Sequence, residues 1–284
     1  MLCHLISMVM TDFNLLPVSK RVYEKESPIF LPVSEWEFTY HSQYWLVTKL
    51  FKPGGLDLFK EMAKCYPIVD RNNDDDHIDH NPFQVHHMPL WFTTPICEMV
   101  REFVLREHFK QGPEMELIDE RMSEWGNIYI KGQCRPLINA HIPHVDFPHT
   151  EGWISNLWLS EHEEKETETR FYKYKGQVSE GRYDFQLDSR HHLYKEWHQW
   201  IGNGRKHTDR FTNLSDSDAF KWGFRKISSA PCRYGTMTIY NANIPHCPFV
   251  SDSVEWRWSH CFGFKYKSLA RLFKTAEIPL QYRT

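Results

Sequence analysis

His144 and Asp146 stand two positions apart in His144-Val145-Asp146, and His246 lies 100 residues beyond Asp146. In an extended segment the two-residue period turns His144 and Asp146 to the same side, so both can reach one ion. Two imidazoles and one carboxylate on one side of a divalent metal leave its other positions open, an arrangement suited to non-haem ferrous iron. Arg257 follows His246 with ten residues between, and Ser259 completes Arg257-Trp258-Ser259. A guanidinium can grip a carboxylate through two parallel hydrogen bonds. Strand alternation puts Glu255, Arg257 and Ser259 on one face and Trp256 and Trp258 on the other, so Arg257 and Ser259 can hold the same carboxylate.

His-x-Asp alone is a weak signal, since about one occurrence is expected by chance from this composition. Three are present, the others being His77-Ile78-Asp79 and His207-Thr208-Asp209. The first lies in the Asp-, Asn- and His-rich stretch 70–87, which reads as a polar loop. The second follows Gly202-Asn203-Gly204 and is flanked by charges, so it too reads as loop. An ungripped loop preorganises ligands poorly. His144, by contrast, follows the apolar stretch 136–140 and precedes a turn that leads into a strand.

The elements that must position these residues change character along the chain. Helical spacing appears over 57–65, ended by Pro67, and over 95–109. From about residue 115 strands dominate: 115–119, 127–131, 153–159, 169–174, 235–240 and 255–264. Residues 189–200 read as a helical insertion between strands, and 268–275 as a short helix. Helices first and many strands after predict one α+β domain over 1–284, with a double-stranded β-helix (jelly-roll) core. Its parts are a helix-rich 1–112, the core at 113–266, and a C-terminal helix and tail at 267–284. No β-α-β alternation, GxGxxG or Walker motif is present.

His-x-Asp, a distal His and an Arg-x-Ser about ten positions later resemble the motif of the Fe(II)/2-oxoglutarate-dependent dioxygenase superfamily, with spacing like its phytanoyl-CoA hydroxylase-type subgroup. The resemblance covers about 127–264. It implies that His144, Asp146 and His246 hold Fe(II), and that 2-oxoglutarate chelates the iron through its keto-acid end. Arg257 and Ser259 would bind the far carboxylate, with Asn156 and Tyr129 as candidates for an added hydrogen bond. It further implies that dioxygen is consumed, that 2-oxoglutarate is decarboxylated to succinate, and that a small-molecule or peptide substrate is oxidised. Halogenases related to this family lack the carboxylate, so Asp146 points to hydroxylation. Trp153, Trp158, Trp256, Phe147 and Phe171 are candidates for an aromatic pocket; His141 and His149 flank the motif, and His260 faces away from Arg257.

Composition bounds the alternatives. The 284 residues carry a net charge of −3, 41% hydrophobic and 25% charged residues, and 15% aromatics. Aromatic richness favours strands and aromatic-lined pockets. No strong basic field recruits nucleic acid, and no apolar run reaches the ~20 residues of a membrane helix. Residues 1–10 are apolar but lack a basic flank, so no signal peptide is expected. Seven cysteines, an odd number without a CxxC pair, fit a reducing cytoplasm. Cys247, beside His246, reads as a small packed hydrophobe. Three other readings stay open. A cupin-like isomerase or epimerase would need His-x-His, which is absent. A non-catalytic metal-binding module would not need all four residues. A zinc hydrolase using His141 and His144 lacks the helical His pair and its Glu. The residues say nothing of oligomeric state.

Overall fold

The computed structural model describes residues 27–65, 68–70, 83–86, 90–110, 115–118, 130–134, 143–145, 152–161, 166–179, 182–202, 215–251, 253–254 and 256–266. A hairpin of β1 (Glu37–His41) and β2 (Tyr44–Thr48) comes first, then helix α1 (Gly55–Lys64). Short strands β3 (Ile68–Asp70) and β4 (Phe83–His86) precede α2 (Leu90–Met99), which runs on as a π-helix over Val100–His108. Four strands follow: β5 (Met115–Ile118), β6 (Ile130–Cys134), β7 (Gly152–Trp158) and β8 (Thr167–Tyr174). An excursion then carries β9 (Val178–Ser179), β10 (Arg182–Tyr183), α3 (Asp184–Leu187), α4 (Tyr194–Gly202) and α5 (Asp216–Lys221). The chain returns through β11 (Phe224–Pro231), β12 (Met237–Asn241), β13 (His246–Val250) and β14 (Trp256–Tyr266).

Among the described residues the strands form a nine-stranded sheet in the order β1-β2-β12-β7-β14-β6-β4-β3, with β5 also on β14. A second sheet runs β11-β8-β13, and β9 and β10 form a small ribbon. Their pairings are antiparallel. The chain is therefore a mixed α and β structure built on antiparallel sheets, in four layers. Alternation explains how each layer is glued to the next. Trp153 and Leu157 on β7, Met237 and Ile239 on β12, and Trp258, Phe262 and Phe264 on β14 meet Phe59 and Ala63 of α1 and the buried side of the second helix. The opposite face of the large sheet sends Tyr44, Leu46, Ile154 and Tyr240 against Phe171 and Ala230 of the small sheet. The outer face of the small sheet, through Tyr172, Phe224 and Cys247, is covered by Tyr183, Phe185, Leu193, Ala219 and Trp222 of the excursion.

Several expectations need correction. The N-terminal part is not simply helix-rich, because β1 and β2 belong to the large sheet. β1 is nearly all exposed, so it carries no apolar alternation to betray it. The polar stretch 70–87 is bounded by the paired strands β3 and β4. The helix read from Pro95 begins at Leu90 and holds Pro95 inside it. The insertion helix begins at Tyr194 rather than at residue 189. The strand read over 127–131 is described from Ile130 and extends to Cys134. The 268–275 helix lies outside the described residues.

Candidate metal centre

His144 and His246, 102 positions apart in sequence (246 − 144), are direct neighbours in space. They form an antiparallel bridge closed by two backbone hydrogen bonds, His144 N–H to His246 O and His246 N–H to His144 O, each 2.9 Å. Their ring centroids are 4.6 Å apart. A narrow-paired antiparallel bridge turns both side chains to the same face. That face is the interior between the sheets, where the His246 ring also lies 6.4 Å from Phe171. Turn Ala242–Pro245 makes the short crossing from β12 in the large sheet to His246 in the small one, and Gly235 (φ 71°) takes the left-handed conformation that starts β12 after the preceding turn.

The hydrogen bonds of His246 fix its tautomer. Nδ1 lies 2.9 Å from the Ile244 carbonyl, which can only accept, so Nδ1 carries the proton. Nε2 then presents a lone pair, as a metal-ligating imidazole must. Tyr240 Oη sits 3.2 Å from Nε2 and donates to it. Asn156 Nδ2 in turn donates to Tyr240 Oη at 3.2 Å. The donors thus run in one direction, from Asn156 through Tyr240 and His246 to Ile244. The two imidazoles fit a divalent metal: they are neutral-capable, adjacent, and one is already held in the ligating tautomer. Among the described residues no third histidine, cysteine or carboxylate joins them. Asp146, Tyr129, His141, His149 and Phe147 lie outside the described residues.

The large sheet supplies the other wall. Arg257 and Ser259 are buried neighbours on β14, 6% and 4% exposed. Arg257 Nη1 points to Cys232 Sγ at 3.8 Å, and its guanidinium carbon lies 5.2 Å from the Trp158 ring centre. Trp158 is itself fixed by its Nε1–H donating to Thr238 Oγ1 at 2.9 Å. Burial pushes the Cys232 thiol up, against the opposing influence of Arg257 and hydrogen bonds with Thr167 and Thr169. A neutral thiol and threonine hydroxyls thus set polar groups beside the buried guanidinium.

Other residues take the faces that alternation assigns them. His260 points away from Arg257 into the helix-covered core, 3.9 Å from Cys97 Sγ. Cys247 faces the outer layer, and burial raises its thiol to about 11, so it stays a protonated packed group and turns away from the His246 side. Trp153 is no pocket residue: it packs on the helix side, 5.3 Å from Phe109. Sequence reasoning passed over Tyr240, Cys232 and Thr238. It also passed over Tyr183, whose hydroxyl donates to the Pro143 carbonyl at 2.6 Å, one residue before His144. Tyr240 and Thr238 could have been found as the inward alternation of the strand before His246. No spacing marks Tyr183, which reaches across from the excursion.

No protein-family model matches the chain. No curated protein matches it. Among solved structures, HygX from Streptomyces hygroscopicus with nickel and 2-oxoglutarate bound aligns at a TM-score of 0.46 and 10% identity, over 79% of this chain and 83% of that one. The epimerase SnoN, in complex with Fe3+, alpha ketoglutarate and nogalamycin RO, aligns at 0.44 and 9% identity, over 84% and 86%. The carbocyclase SnoK from nogalamycin biosynthesis aligns at 0.41 and 10% identity, over 82% and 87%.

Proposed function

We propose that this protein is a non-haem oxygenase dependent on Fe(II), 2-oxoglutarate and O2, which hydroxylates a small-molecule or peptide substrate inside a double-stranded β-helix. The observation that carries the reading is the His144–His246 bridge, with its rings side by side between two sheets. Asp146, two residues after His144, is the proposed third ligand and completes two histidines and a carboxylate. Bound iron with 2-oxoglutarate and dioxygen supplies the oxidising chemistry. The chain's own part is to hold and to shield. His246 keeps Nε2 deprotonated through its Nδ1–H bond to Ile244. Arg257 and Ser259 take the far carboxylate of the diacid, for which a buried guanidinium is worth far more than a surface one. Asn156 donates to the Tyr240 hydroxyl and so orients it beside the His246 ring. Phe171 and Trp158 line the interior and keep water from it.

Anaerobic titration of the metal-free protein with Fe(II) and then 2-oxoglutarate tests the reading, through the weak visible charge-transfer band of the chelated diacid. The band is expected in the native chain. In Arg257→Ala, 2-oxoglutarate affinity is expected to fall on the order of 100-fold, the loss typical of truncating one partner of a buried charge pair. Folded, iron-loaded native protein without a band would refute the assignment.

A second expected result concerns Tyr183. Tyr183→Phe removes only the hydroxyl that holds Pro143. It should cost about 1–3 kcal/mol in urea denaturation, as a buried carbonyl loses its donor. Fe(II) binding should weaken by about tenfold, as for other outer partners of metal ligands. Unchanged metal affinity would separate the excursion from the site.

A further inference from the structure

Tyr240 meets His246 through its hydroxyl, and the contact falls on the one nitrogen a metal would need. Tyr240 Oη lies 3.2 Å from Nε2, and the two rings meet edge to face with centroids 4.8 Å apart. Because Nδ1 is committed to Ile244, the Nε2 lone pair is the only one the imidazole has. A metal on Nε2 and a hydrogen bond from Tyr240 to Nε2 therefore exclude each other. Building on the oxygenase reading above, we infer that Tyr240 is a positioning residue with two stations. It caps Nε2 of His246 in the metal-free protein, and it turns its O–H to an anionic oxygen of the diacid once metal occupies Nε2.

Asn156 makes the exchange directional. Its amide N–H donates to Tyr240 Oη at 3.2 Å, which fills a lone pair on the phenol oxygen and leaves the O–H as the outgoing donor. Asn156 and Tyr240 are both buried, and a hydrogen bond given up in such a place is not replaced by bulk water. Metal binding alone thus works against the loss of the Tyr240 hydrogen bond. The diacid restores an acceptor, so metal and diacid each strengthen the binding of the other by the same factor. The site would in this way hold iron loosely until the cosubstrate arrives.

The experiment is anaerobic Fe(II) titration, read by tryptophan fluorescence, of native protein and Tyr240→Phe, with and without saturating 2-oxoglutarate. Without the diacid, Tyr240→Phe is expected to bind Fe(II) about fivefold more tightly than the native chain, because nothing competes for Nε2. The factor by which 2-oxoglutarate improves Fe(II) binding is expected to shrink about fivefold in the variant. A structural role alone would weaken metal binding, so the sign decides. Fe(II) affinity equal to or weaker than native in Tyr240→Phe overturns the exchange and leaves the oxygenase reading intact. A native chain whose Fe(II) affinity ignores 2-oxoglutarate overturns that reading instead. Asn156→Ala, which loses the orienting amide, should move Fe(II) affinity in the same direction by a smaller factor, and it decides the matter if Tyr240→Phe does not fold.

Discussion

His246→Ala is expected to fold and to lose Fe(II) affinity by more than about 100-fold, since even the outer partners of a metal ligand account for 10–100-fold. The backbone explains why the fold survives. The bridge to His144 is closed by main-chain atoms, which alanine retains. β13 keeps its register against β8, with position 246 opposite Phe171. What disappears is the imidazole, and with it the acceptor for Tyr240 and the donor to Ile244. Two hydrogen bonds lost in a buried place cost about 1–3 kcal/mol of stability. His144→Ala should match it in metal affinity and cost less in stability. Anaerobic Fe(II) titration beside urea denaturation reads both quantities. An Fe(II) dissociation constant within tenfold of native in either variant would remove these histidines from the metal centre.

Phe185→Ala is expected to cost about 3–5 kcal/mol, the range for emptying a large aromatic side chain from a core. Phe185 is fully buried. It stacks on Tyr183 at 5.4 Å and 16°, and meets Trp222 and Trp197 edge to face at 5.2 Å and 5.6 Å. It therefore joins β10, α4 and the turn after α5 in one cluster over the small sheet. Offset and edge-on ring pairs add to what area alone provides. The damage should also reach the metal. Tyr183 stacks on Phe185 and holds Pro143, so a loosened Tyr183 releases the backbone beside His144. Urea unfolding followed by tryptophan fluorescence should report the stability loss, and metal titration should report the second effect. A stability change below about 1 kcal/mol would mean that the cluster collapses onto the vacancy, as some core sites do.

The sequence was legible where a strand lies between two covered faces of different character, one lined by core side chains and the other by polar ones. Gly152–Trp158 and Trp256–Tyr266 show this, because Asn156 and Trp158, or Arg257 and Ser259, alternate with core aromatics. From the second of them the shared face of Arg257 and Ser259 could be read directly, while Asn156 stood only as a candidate on a neighbouring strand. Glu37–His41 could not be read, since an exposed edge strand needs no apolar period. His246–Val250 was missed as a strand because Pro248 breaks the pattern, although a proline is tolerated on the rim of a sheet. The His144–His246 pairing was legible as a need, in that a distant second histidine had to exist. The link from Asn156 to Tyr240 was not, because a hydrogen bond between segments 84 positions apart leaves no spacing to find.

The order of strands in the large sheet has a kinetic consequence. β2 finds its inner partner in β12, with Val47 opposite Met237, and β7 lies between β12 and β14. The early hairpin thus waits for strands made about 190 residues later (237 − 47) before the sheet can close around it. Such long-range closure is slow, and while it is pending Leu46, Val47 and Ile154 stand as open edges for a holding chaperone to cover. During synthesis the centre of the large sheet cannot form until β12 and β14 have emerged.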